Sequence, residues 1–163
     1  MKYLKVLIPL CWLFLSFSSC AQVPDEHKLD AAAKKELVFK FIQLMETKEF
    51  SRFDEVIAND YRQHNPMVKQ GLEGIREGAS WFLSVFPDLS ASIDEIVVEG
   101  DLVAARITWT GTHRGELFGI PASGEKISWT GADWWRIKEG KFVEHWDVVD
   151  WSQVLNQISK KKQ

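Results

Sequence analysis

The sequence predicts an α+β domain, with helices first and an antiparallel sheet after them. Apolar residues recur at helical spacing from Leu37 to Phe86, and from Ser90 onward the spacing shortens to two. Two of the breaks between the later segments, Gly100-Asp101 and Glu139-Gly140, are hairpin signals. Helices followed by a meander give a sheet with helices covering one face. A chain of 163 residues has room for one such domain and a genuine core.

The N-terminus stands apart from that core. Lys2 and Lys5 precede an almost wholly apolar run, Val6 to Leu15, and Phe17-Ser18-Ser19-Cys20 follows. A run this short, with a basic flank and small residues at its end, is a secretory leader rather than a membrane span. Its last four residues resemble a bacterial lipobox. That resemblance implies cleavage before Cys20, a lipid on the Cys20 thiol, and an exported cell-envelope protein held to the membrane by its N-terminus. The other reading is an ordinary leader cut near Ala21 and a soluble exported protein. The expected organisation is thus a leader at 1–19, a tether at 20–30, the domain at 31–158 and a basic tail at 159–163. Cys11 leaves with the leader, so stability has to come from packing and not from a disulfide. Losing the two leader lysines takes the net charge from −3 to −5, and nothing in that balance suits a nucleic-acid partner.

Asp30 can cap a first helix, in which Leu37, Phe41, Leu44 and Met45 share a stripe. Phe50, Phe53, Val56 and Ile57 mark a short second helix. Leu72, Ile75, Ala79, Phe82, Leu83 and Phe86 mark a third, stopped by Pro87. Between the last two, Asp60-Tyr61-Arg62-Gln63-His64-Asn65-Pro66 reads as a polar connection. Four strands are expected at Ile93–Glu99, Leu102–Thr110, Ile127–Lys138 and Phe142–Val149.

The third of these strands is the informative one. Ile127, Trp129, Gly131, Asp133, Trp135 and Ile137 share a face that is apolar except for Asp133. An isolated buried charge is costly, so Asp133 must be paired, protonated or functional. The strand before it agrees: Val103, Ala105, Ile107 and Trp109 face one way, and the same parity runs on to His113. On the last strand Val143, His145, Asp147 and Val149 share a face, opposite Phe142, Glu144, Trp146 and Val148, and parity alone leaves open which of the two lies inside. Antiparallel pairing across Glu139-Gly140 can bring Asp133 and His145 into one cavity. Six tryptophans between Trp109 and Trp151 supply flat apolar wall, and an apolar cleft with a few convergent polar groups is the composition of a small-molecule site.

Phe86-Pro87-Asp88-Leu89, Gly111-Thr112-His113-Arg114-Gly115-Glu116, Phe118-Gly119-Ile120-Pro121, Gly124 and Gly140-Lys141-Phe142-Val143-Glu144-His145-Trp146-Asp147 together resemble the SnoaL-like polyketide cyclases, also called ester cyclases. The resemblance spans roughly Ala33 to Ile158. It implies an NTF2-like cone: a curved antiparallel sheet wrapped against N-terminal helices around a deep pocket, usually in a homodimer. It also implies a cofactor-free aldol ring closure. In the family an aspartate on the last strand, two residues after a histidine, is the acid/base, and His145-Trp146-Asp147 matches that arrangement. A second family histidine lies twelve residues before the first; here the position holds Asp133, a departure in the protonation scheme. The Gln63-His64-Asn65 stretch falls where the family supplies a further pocket residue.

The candidate catalytic set is therefore Asp147, His145 and Asp133, with His64, Asn65, His113, Trp129 and Trp135 as candidate substrate-binding residues. His64, His113, Asp133 and His145 are ligand types that suit zinc or iron, but no metal-binding motif joins them, and no metal is expected. No serine sits in an elbow motif for nucleophilic catalysis. Two functions remain: an acid/base enzyme acting on a carbonyl-bearing small molecule by cyclisation or isomerisation, and a lipid-anchored protein that binds a small apolar ligand without turning it over.

Overall fold

The computed structural model describes residues 29–159. The leader, Cys20 and the Lys160-Lys161-Lys162 run lie outside the described residues.

Helix α1, Ala31–Glu46, starts where expected: the Asp30 carboxylate accepts a hydrogen bond from the Ala33 N–H at 2.8 Å. Val38, Phe41, Ile42, Leu44 and Met45 form its buried stripe. A 3-10 turn, Phe50–Glu55, buries Phe53 and leads straight into a strand, β1, Ile57–Gln63. Helix α2, Gly71–Val85, ends one residue short of the Phe86-Pro87 pair, and its Arg76 reaches back to the carbonyls of Phe50 and Ser51 at 2.9 and 3.0 Å. Near its start a Cβ on Gly74 would stand 2.1 Å from the Lys69 carbonyl oxygen, so only glycine lets the 64–70 connection pass this close.

Strands β2 (Ser90–Glu99), β3 (Leu102–Thr112), β4 (Lys126–Lys138) and β5 (Lys141–Val149) follow, and a short helix α3, Trp151–Ile158, closes the chain. They form one five-stranded sheet in the order β1-β5-β4-β3-β2, antiparallel except for β1, which runs parallel to β5. One face of the sheet packs on the helices, and the apolar core lies between the two layers.

The face assignments for β3 and β4 hold. Val103, Ala105, Ile107, Trp109, Ile127, Trp129, Trp135 and Ile137 are all buried, while Trp134 is 37% exposed on the outer side. Strand β5 resolves its ambiguity with a bulge. Arg136 pairs with Glu144 but Ile137 with Phe142, so Val143 is an extra residue. Phe142 and His145, of opposite parity, consequently both face the core.

Two local expectations are corrected, and one element is added. Ile57 does not continue a short helix, and Asp60 to Gln63 do not form a connection; together they are β1. Its inward residues, Ile57, Tyr61 and Gln63, are masked by a register shift and by exposed Asn59, Asp60 and Arg62. Strand β2 begins at Ser90 instead of Ile93, because a register shift between Ile93 and Glu95 breaks its alternation. Residues 151–158, left unassigned from sequence, are helical: Asp150 caps Gln153, and Val154 and Ile158 bury one stripe.

Candidate active site

Between α1, α2 and the inner face of the sheet lies a cleft holding about 800 Å³ of empty space, counted out to its open mouth. Phe41 and Met45 of α1, Ile75, Ala79 and Phe82 of α2, and Trp109 and Trp129 of the sheet give it apolar walls. Met67 and Trp81 line it too and are 46% and 42% exposed, an apolar entrance. Its polar groups are five: Gln63, Asn65, Asp133, His145 and Asp147.

Each is delivered by backbone register. Asp133 of β4 pairs with Asp147 of β5, and Trp135 with His145 beside them, while Gln63 of the parallel β1 pairs with His145 from the other side. His145 is buried, and its Nε2 lies 3.0 Å from Asp133 Oδ1. Its ring lies nearly parallel to Trp135, 5.3 Å away, and to Tyr61, 6.2 Å away. The strand therefore presents an imidazole whose tilt is set by two flat neighbours.

The hydrogen-bond roles follow from backbone donors. Gln63 Oε1 accepts from the Asn65 N–H at 2.9 Å, which makes it the oxygen; it then lies 3.0 Å from His145 Nδ1, so that nitrogen carries the hydrogen. Facing Asp133, Nε2 therefore either accepts from a protonated carboxyl or, protonated itself, donates to a carboxylate. Either way the pair holds one proton. Burial pushes the Asp133 carboxyl up, and the nearby Asp147 pushes the same way; the His145 hydrogen bond opposes both. Asn65 Oδ1 accepts from the Met67 N–H at 2.8 Å, so its Nδ2 donates to Asp147 Oδ2 at 2.7 Å. Burial first, and then Asp133 and Asp147, hold the Tyr61 phenol neutral, well above its ordinary value.

Asp133, His145 and Asp147 offer ligand atoms that all lie within 4.8 Å of one another, and among the described residues these are the ones that could hold a cation. Their existing partners, each other and Asn65, suit proton transfer equally.

The other sequence candidates divide. Asn65 and Trp129 line the cleft, and Trp135 lies beneath His145. His64 turns to the outer side, stacked 4.7 Å from Trp146 and 2.8 Å from Glu144, whose carboxyl it and Arg136 hold below the usual range. His113 is buried against Phe86, its Nδ1 accepting from the Ser123 N–H at 3.1 Å; burial lowers it. Neither histidine lines the cleft. Tyr61 escaped the sequence reading because β1 did; Gln63 stands in the stretch that the resemblance marks for a pocket residue, though the candidates chosen there were His64 and Asn65.

A curved, helix-backed sheet with an imidazole and two carboxylates at one end of an apolar cleft defines an NTF2-like small-molecule protein. Residues 35–158 match the family described as SnoaL-like polyketide cyclase, and the chain belongs to it. It is 28% identical over 132 residues to the aklanonic acid methyl ester cyclase DauD of Streptomyces sp. (strain C5), covering 77% of this chain and 81% of that one. Nogalonic acid methyl ester cyclase of Streptomyces nogalater is 27% identical over 110 residues, 64% of this chain and 81% of that one. Among solved structures, TsrD from Streptomyces laurentii superposes with a TM-score of 0.76 at 35% identity, covering 81% of this chain and 98% of that one. AclR from Streptomyces galilaeus gives 0.72 at 28% identity, covering 82% and 100%.

Proposed function

We propose that the protein is an acid/base enzyme that needs no cofactor and closes a ring in, or isomerises, a carbonyl-bearing small molecule. The observation that carries this is the arrangement of Asp147 beside the one-proton Asp133–His145 pair, at one end of an otherwise apolar cleft. In this reading the Asp147 carboxylate removes a proton from the carbon α to a carbonyl, giving an enolate. That carbon attacks a second carbonyl of the same molecule; one C–C bond forms and the attacked oxygen becomes an alkoxide. The Asp133–His145 pair supplies its proton to the alkoxide, and the proton on Asp147 restores the pair. Atoms balance within the substrate, so the product is an isomer of equal mass. The apolar walls favour the proton transfers by keeping water away from the enolate.

The two curated relatives are named for methyl esters of aklanonic and nogalonic acid, which makes those esters the first substrates to try. Incubation should yield an equal-mass product with one ring more, and the Asp147→Asn protein should form it at least about a hundredfold more slowly. If neither ester is converted while both bind, the second reading prevails: a binder whose apolar entrance at Met67 and Trp81 admits a ligand that leaves unchanged.

A further inference from the structure

Gln63 Nε2 is fully buried and has no hydrogen-bond partner. Leaving such a group unmade costs about 1–3 kcal/mol, so it asks for a reason. Every other polar atom of the residue is committed. Its backbone N–H donates to Gln70 Oε1 at 3.0 Å, its carbonyl accepts from Gln70 Nε2 at 2.7 Å, and its Oε1 serves both the Asn65 N–H and His145 Nδ1. The amide cannot turn over to relieve the unmade bond, because its nitrogen would then confront the Asn65 N–H. Two spare hydrogens are therefore fixed on a side chain that lines the cleft beside His145.

We propose that Gln63 works with both ends of its amide: Oε1 locks His145 as the Nδ1–H tautomer, leaving Nε2 of the ring to Asp133, and the Gln63 NH2 donates to a carbonyl or enolate oxygen of the ligand. The first half stands without any assumption about turnover; the second rests on the acid/base reading above. Gln63 is a positioning residue for His145 and a binding residue for the ligand oxygen. Donors fixed in advance at the place where charge develops stabilise it without reorganising.

Two substitutions separate the halves. Gln63→Glu keeps an acceptor for the Asn65 N–H and for His145 Nδ1 but has no NH2; Gln63→Leu loses both. Nitrogen NMR of the full chain reads the tautomer of His145 directly, and the spectrum as a whole reports that each variant folds. The Nδ1–H form should be found in wild type and in Gln63→Glu, and should be lost in Gln63→Leu. For the second half the probe is 1,8-dihydroxyanthraquinone, a planar ketone that matches the aromatic walls. Saturating wild type with it should move the Gln63 NH2 resonance, and both variants should bind it at least about tenfold more weakly, the worth of one hydrogen bond. An Nε2–H tautomer in wild type overturns the first half. An anthraquinone that fails to bind, or binds without moving the Gln63 resonance, overturns the second. The expected spectra with no turnover of either ester would sink the acid/base reading alone; turnover with the wrong tautomer would sink this inference alone.

Discussion

His145 Nε2 and Asp133 Oδ1 lie 3.0 Å apart, with the two side chains only 8% and 14% exposed. Burial raises the folded-state titration of the Asp133 carboxyl above its ordinary 3.8, against the pull of the His145 hydrogen bond, which lowers it. The folded chain then holds this proton at pH values where the unfolded chain has released it. Its contribution to stability is fully present below pH 3.8 and is lost as pH rises through the folded value. Asp133→Asn cannot titrate, and its amide can still donate to His145 Nε2. Denaturant midpoints at a series of pH values should therefore show the variant gaining on wild type as pH rises from about 4. A difference independent of pH would mean that the carboxyl titrates alike in both states.

Asp147→Asn leaves the shape of the cleft and a partner for Asn65 but removes the proposed base. Conversion of a cyclising ester should fall by about a hundredfold to ten-thousandfold, while ligand affinity and thermal midpoint change little. A loss confined to affinity would move Asp147 from proton transfer to binding.

Glycine to alanine inside a helix normally stabilises, by about 1 kcal/mol. At Gly74 the sign should reverse, because the added Cβ meets the Lys69 backbone, which cannot swing aside as a side chain would. Gly74→Ala should cost about 1–3 kcal/mol by chemical denaturation. A stabilised variant would show that the 64–70 connection shifts freely, and with it Asn65.

The outer face of the sheet exposes Val97, Trp134 and Val148 at 65, 37 and 62%. We expect a second copy of the chain to cover this face, since such apolar surface is uncommon on a monomer. Sedimentation at micromolar concentration should give twice the chain mass, and Trp134→Lys should return it to one. A wild-type monomer at every concentration would rule the dimer out.

Lipidation at Cys20 is open to mass spectrometry of the protein from its native membrane. The Phe17-Ser18-Ser19-Cys20 stretch leads us to expect an N-terminal Cys20 carrying lipid. An unmodified N-terminus at Ala21 or beyond would leave the export reading intact and remove the anchor.

The parts of this molecule that the sequence made legible are those with a clean period. On β3 and β4 every second residue is apolar over a long span, so Asp133 was conspicuous as the exception, and its placement in the cleft follows from alternation alone. Parity could not place Phe142 and His145 on one face, since a bulge is a local choice of backbone with no period to betray it. Strand β1 was missed for a related reason. Its inward residues are few, one of them is Gln63, and its pairing with β5 is fixed by a chain segment eighty residues away. His64 and Asn65 show the same limit at closer range. They are adjacent in sequence, yet one faces the cleft and the other the outside, because a strand end turns neighbours to opposite sides.

The extra residue at Val143 also bears on how chemistry can come and go in such a scaffold. Delete it alone and the bulge closes, with Glu144 still on Arg136 and Asp147 still on Asp133; delete a second residue beside it and the pairing of β5 beyond Phe142 advances by one, so that Trp146 and Val148 turn inward and His145 and Asp147 turn to water. The result would be a greasy cup with no base, built from the same side chains. A catalyst and a carrier would then stand two codons apart, and a screen of one- and two-residue deletions along 141–144 is where that passage could be watched.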